Sequence, residues 1–253
     1  MSGRGIGDGF GKKILGDGKM DKVREVIKYH KEFFDPELLR HETIASELWP
    51  LVTDRITIKA DDPPSARSII HKKILIEGMA LHVARLWDNL VVEDMILLFA
   101  QNTEKYCESF AYGLEQTIAR DEGEAILVGK EYLDFRSFSN IISFSKKHLV
   151  DALDPFRKLS HDQRYLIDEL MIVRNHIAHR SKKSLGSYKK LLAGYDIQIE
   201  KEPGYFLLYV PGQEDQDKIM MYERHGKKRI FMLYIEALRA ISNEIVEYLE
   251  AVV

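Results

Sequence analysis

Between Met171 and Arg180 the chain reads Met-Ile-Val-Arg-Asn-His-Ile-Ala-His-Arg, where groups able to hold negative charge and move protons crowd together. On a helix turning by about 100° per residue, Arg174 shares a face with Ile167, Leu170, Met171, Ile177 and Ala178. A guanidinium on an otherwise apolar face must reach a carboxylate or sit at an interface or cleft, because an unpaired buried charge is very costly. Asn175 and His179 are neighbours on the adjacent face, with His176 beside them. From 171 to 195 the cations Arg174, Arg180, Lys182, Lys183, Lys189 and Lys190 occur without a single carboxylate. Such a run suits a phosphodiester backbone. The plainer alternative is a solvated helix end whose cations complement the macrodipole.

Histidine beside arginine near phosphate has a specific use. A neutral imidazole can take the proton of a ribose 2′-hydroxyl, and an imidazolium can protonate the departing 5′-oxygen. An arginine can hold the negative charge that builds on phosphorus during in-line attack. The reaction calls for no metal, and no cofactor is expected. The sequence lacks HExxH and any cysteine–histidine cluster, and His176 with His179 would give a metal only two ligands.

With those residues in view, Arg174-Asn175-His176-Ile177-Ala178-His179 resembles the signature of HEPN domains: arginine, a polar residue, several positions, then histidine. A weaker likeness lies in Ala80-Leu-His-Val-Ala-Arg-Leu-Trp-Asp88, similar to the arginine–leucine–x–aspartate helix of abortive-infection HEPN proteins of the AbiU type. The resemblance implies a multi-helix bundle and a metal-independent endoribonuclease of a defence or toxin–antitoxin kind. It implies Arg174 as stabiliser of the transition state, His179 as general base or acid, and Asn175 as the residue orienting histidine or phosphate. His176 would share that task or stand by as an exposed bystander, Asp88 and Arg85 would be auxiliary, and Arg180, Lys182, Lys183, Lys189 and Lys190 would contact RNA. A homodimer with its cleft between two motifs is implied, as is an antitoxin partner such as a nucleotidyltransferase. Asp88 is the candidate mate of Arg174 or Arg85; Arg85 and Asp88 could equally form a within-helix pair with no function. The bare pattern, arginine then four to six residues then histidine, is common, and Arg24 to His30 fits it without the apolar frame or the basic run.

These residues need elements to carry them. Val23, Val26, Ile27, His30 and Phe34 follow the three-to-four spacing of an amphipathic helix. Pro36 opens a second, and Asp61-Asp62-Pro63-Pro64 is a strong stop. A long apolar helix follows to about Asp88. Further helices are expected near 91–101, 103–119, 124–134, 138–150 and 161–180, the last capped by Ser160 or Asp162, and a closing helix from about Arg229 to Val252. Strand chemistry enters only after 194: Tyr195-Asp-Ile-Gln-Ile and Phe206-Leu-Leu-Tyr-Val flank Glu202-Pro203-Gly204 as a β-hairpin, which Ile219–Tyr222 extends. The expectation is therefore a mainly all-α, HEPN-like bundle over 20–253 with a β insertion at about 195–222. Residues 1–19, glycine-rich but without the pattern or preceding strand of a phosphate loop, would be a flexible arm.

Composition sets the outer limits. The chain of 253 residues is 45% hydrophobic and 30% charged, and 37 cations against 40 anions leave −3, so a polyanion site must be local. One cysteine, Cys107, excludes an internal disulfide framework and fits a reducing compartment. No apolar run approaches the roughly 20 residues of a bilayer span, and the first residues lack a leader's apolar core. A cytoplasmic protein without membrane segments is expected. The aromatic run Tyr132, Phe135, Phe138 and Phe144 reads as core rather than a base-stacking platform. Two other functions stay open: a HEPN-type module that binds RNA, nucleotide or a partner without cleaving, and an unrelated scaffold in which Arg174 is only a salt-bridge residue.

Overall fold

The computed structural model describes residues 20–48, 64–110, 113–130, 135, 137–195, 202–208 and 229–253. Their helices are α1 (Asp21–Tyr29), α2 (Asp35–Leu48), α3 (Pro64–Gln101), α4 (Glu104–Phe110), α5 (Arg120–Lys130), α6 (Phe138–His148), α7 (His161–His179), α8 (Lys182–Gly194), α9 (Pro203–Leu208) and α10 (Ile230–Glu250). Two short 3₁₀ turns, Asp151–Leu153 and Pro155–Lys158, link α6 to α7. No strand occurs among the described residues. The protein is mainly helical, as its periodicity indicates.

α3 is the spine. Its 38 residues extend about 57 Å at the usual rise per residue. The expected division near Asp88 does not occur, because no glycine or proline interrupts Asn89–Gln101 and Leu90, Val91 and Met95–Ala100 are all buried. Around the spine pack α1, α5, α7 and α9, while α10 lies against α2 and α7. Large side chains of α3 and α10, among them Trp87, Phe99, Phe231 and Tyr234, are fully buried in the core. Phe135, Phe138 and Phe144 are core, as read, and Phe135 meets Phe144 edge-on at 5.5 Å.

α1 and α2 form one rod joined by a π-helical turn, His30–Phe34. Pro36 explains the wide turn: its ring would collide with the carbonyl four residues back and it donates no hydrogen. The turn drives His30 and Phe34 into the core. There His30 Nε2 lies 3.0 Å from Asp94 Oδ2 and Nδ1 lies 2.9 Å from Ser242 Oγ, tying α1, α3 and α10 together without solvent access.

Two expectations need correction. The helix foreseen over 103–119 covers only Glu104–Phe110. The chain at 116–118 folds back to cap the spine: Thr117 Oγ1 donates to Gln101 O at 3.0 Å, and Ile118 N to Ala100 O at 3.0 Å. These end carbonyls of α3 would otherwise lack partners, and satisfying them outweighs one more helical turn. The β-hairpin is contradicted where it can be seen. Pro203 begins helix α9, and adjacent Phe206 and Leu207 are both buried, which a strand with one face on the core does not allow. Residues 196–201 and 209–222, the rest of the foreseen insertion, lie outside the described residues, as do the arm 1–19 and Tyr132.

Candidate functional site

α7 carries the motif and is anchored at both ends. A capping box starts it: Ser160 N donates to Gln163 Oε1 at 2.6 Å and Gln163 N to Ser160 Oγ at 3.3 Å. Leu166, Ile167, Leu170, Met171 and Val173 fix its buried face. It stops at Arg180, whose φ of 44° places a non-glycine residue in the left-handed region. Only Arg180 and Ser181 separate α7 from α8, and Ser181 Oγ caps α8 by accepting from Ser184 N at 3.1 Å.

Arg174 is half-buried rather than sealed. Its Nη2 is 3.7 Å from Asp88 Oδ2 on α3, and the two side chains are 33% and 29% exposed. Its Nη1 donates to Asn175 Oδ1 at 2.7 Å. Arg174, Asn175 and Asp88 thus come together. Arg85, one turn earlier on α3, is exposed.

His176 sits on the next face and is held firmly. Its ring stacks on Tyr188 of α8 at 4.7 Å and 19°, and its Nδ1 lies 3.3 Å from Ser184 Oγ. Burial and then the charge of Arg180 push its pKa below the ordinary value, with the Glu77 carboxylate opposing them. Glu77 of α3, itself nearly buried, is the hub of this side. It lies 3.7 Å from Arg180 Nη2 and accepts from Gly204 N at 2.8 Å, so it ties the end of α7 to α9. Lys73 beside it pairs with Glu202 and sits over the Tyr205 ring at 4.2 Å. Burial lowers the Lys73 pKa, Glu77 opposes that, and Arg180 adds to it.

His179 and Arg180 are exposed on the last turn of α7 and its cap. Lys182, Lys183, Lys189 and Lys190 are all exposed on α8, opposite the buried Tyr188, Leu191 and Leu192. At the helical repeat Lys182 lies above Lys189 and Lys183 above Lys190, which makes a basic stripe of two rows. The macrodipole does not account for it. Lys182 and Lys183 stand at a helix N-terminus, where cations are disfavoured.

The sequence reading missed α8, Ser184, Tyr188 and Glu77. Ser181 followed by Leu185, Tyr188, Leu191 and Leu192 was a usable signal for the helix. Nothing local could mark Glu77, which reaches the motif across about a hundred residues. The match to the bare pattern at Arg24 and His30 is no second site. His30 faces the core, while Arg24 is exposed and lies 3.8 Å from Asp21.

Other clusters have structural roles. Arg120 bridges Glu93 and Glu124, with Asp121 and Glu122 in the first turn of α5. Arg229 stands before α10, and its Nη1 donates to Leu208 O at 3.2 Å. Among the described residues no group of three or more His, Cys, Asp or Glu side chains is arranged to hold a metal, and no helix is long and apolar enough to cross a membrane. No family model, curated protein or solved structure matches the chain.

Proposed function

We propose that the chain is a metal-independent endoribonuclease of a defence or toxin–antitoxin type, with a HEPN-like bundle and a cleft formed between two copies. The observation that carries the proposal is Arg174: a guanidinium one-third open to solvent, steered by Asp88 and Asn175, with two imidazoles following on the same helix. An arginine placed only for stability would gain by closing tightly on its carboxylate. This one pairs loosely, at 3.7 Å, and keeps a third of its side chain open to solvent, from which an anion can approach. The basic stripe of α8 begins two residues past the motif and offers a track for the rest of the strand.

The geometry of α7 supports the need for a second copy. Five residues at about 100° each separate Arg174 and His179 by about 140° round the axis of α7. One chain therefore presents its phosphate-holding and proton-moving groups in different directions. Two facing motifs would bring one chain's arginine toward the other's imidazole. Cytoplasmic residence and control by an antitoxin such as a nucleotidyltransferase belong to the same proposal.

The test is cleavage of a labelled RNA by purified protein in excess chelator. Expected products end in 2′,3′-cyclic phosphate and 5′-hydroxyl, and Arg174→Ala and His179→Ala each slow their formation by about 10²-fold or more. Undiminished cleavage by both variants refutes the proposal. One observation favours a second reading, a binding module without catalysis: Arg174 already has partners in Asp88 and Asn175. RNA binding that survives His179→Ala, with no cleavage by the unaltered protein, would select it.

A further inference from the structure

We infer that His176, outside the arginine–polar–histidine signature, is the general base of the proposed reaction and leaves His179 as its acid; this rests on the ribonuclease reading above. The argument begins with one hydrogen. The Ser184 hydroxyl donates to the Ser181 carbonyl at 3.0 Å and receives a hydrogen bond from Ser181 Oγ at 3.1 Å. A hydroxyl has one hydrogen, and that of Ser184 is committed. Toward His176 it can offer only a lone pair, so Nδ1 at 3.3 Å must carry the imidazole hydrogen. The lone pair of the neutral ring then lies on Nε2. This is the form a base needs, chosen by the partner of the other nitrogen.

The rest of the surroundings act in the same direction. Tyr188 fixes the ring plane by stacking. The charged and titratable groups about the ring are Arg180 at the end of α7, Glu77 of α3 and Tyr188 of α8, with Lys73 coupled through Glu77. Burial and Arg180 hold His176 below the ordinary histidine value, so it is neutral and ready to accept at pH 7. His179, by contrast, is exposed on the last turn of α7, where it exchanges protons freely with water. Two histidines in contrasting settings give the division of labour that acid–base catalysis requires.

In the step itself, Nε2 of His176 takes the 2′-hydroxyl proton as the 2′-oxygen bonds to phosphorus. The bond from phosphorus to the 5′-oxygen breaks, and that oxygen takes its proton from His179. The products are a 2′,3′-cyclic phosphate and a 5′-hydroxyl; proton exchange with water resets both rings. Arg174 balances the charge on phosphorus.

An RNA with sulfur in place of the scissile 5′-oxygen separates the roles, because a thiolate leaves without an acid. The purified protein is assayed on oxygen and sulfur substrates under single turnover. With His179→Ala, a loss of about 10²–10⁴-fold on oxygen should be largely restored on sulfur. With His176→Gln the loss should persist on both. Ser184→Ala keeps the imidazole but frees its tautomer; it should slow the oxygen substrate several-fold, shift the acid limb of the pH profile, and lower the Nδ1–H fraction of His176 in ¹⁵N spectra. Cleavage by His176→Gln within threefold of the unaltered protein, sulfur rescue of that variant, or an Nε2–H tautomer overturns the assignment. An unaltered protein that cleaves neither substrate refutes the ribonuclease reading itself, and the assignment falls with it.

Discussion

Replacing Arg174 by alanine should separate stability from activity, and the structure sets the size of both effects. The contact with Asp88 is 3.7 Å long between side chains that are 33% and 29% exposed. Such pairs contribute about 0–1 kcal/mol. The hydrogen bond to Asn175 is local and only partly buried, which adds about 1 kcal/mol at most. For a chain of this size a loss of about 1–2 kcal/mol lowers Tm by roughly 2–8 °C. On the activity side, removing one preorganised group that stabilises developing charge costs about 10²–10³-fold. Melting curves followed by tyrosine and tryptophan fluorescence give the first number, and single-turnover cleavage of a labelled RNA gives the second. A fall in Tm beyond about 10 °C would mark Arg174 as a structural keystone. Cleavage within threefold of the unaltered protein would refute its place at the reacting phosphate.

Further outcomes follow from other parts of the molecule. Changing Lys182, Lys183, Lys189 and Lys190 together to glutamine should leave Tm unchanged and weaken RNA binding, with the slope of log affinity against log salt falling by up to about 3; an unchanged slope would leave the stripe without a role. Glu169, 1% exposed on α7, has a pKa raised from near 4.5 to about 7, chiefly by burial and despite hydrogen bonds such as that from Tyr195 at 2.8 Å. Below pH 4.5 both folded and unfolded chains hold the proton; as pH rises toward 7 the unfolded chain releases it first, so stability falls by up to about 3 kcal/mol and the loss then levels off. Glu169→Gln should flatten that fall in urea titrations between pH 5 and 8, and a parallel decline would show the reasoning wrong. Gly204→Ala should lower stability by about 1–3 kcal/mol, because the new methyl would lie 3.0 Å from Lys73 Cβ and from Glu77 Oε1. A neutral result by urea titration would mean that α9 can lift from α3 at little cost.

What the sequence disclosed divides along physical lines. The helix carrying the motif was expected over 161–180 and spans His161–His179, because apolar spacing and a capping serine are local signals. The closing helix was visible for the same reason. The hairpin was misread because Phe206-Leu-Leu-Tyr-Val is apolar throughout, and a short apolar run alone does not distinguish strand from helix. The π turn before Pro36 was invisible, since a proline usually ends a helix and here the helix widens to pass it. Of the site, Arg174, Asn175 and the histidines could be named from type and spacing, and Asp88 only from the likeness of the segment Ala80–Asp88. The contacts that bias one histidine against the other were not available, because Glu77 approaches through tertiary packing and Ser184 depends on an unforeseen helix.

The joint between α7 and α8 gives these parts a common fate. Arg180 and Ser181 alone reverse the chain, with one non-glycine residue in a costly left-handed twist and no slack to either side. The stacking of His176 on Tyr188 braces the two arms against each other. The imidazoles on one arm and the lysine rows on the other therefore hold a fixed angle, and an RNA gripped along the second arm would arrive at the first at a constant attitude. Lengthening the elbow by even one glycine would keep every functional group in the protein while breaking the alignment between grip and chemistry.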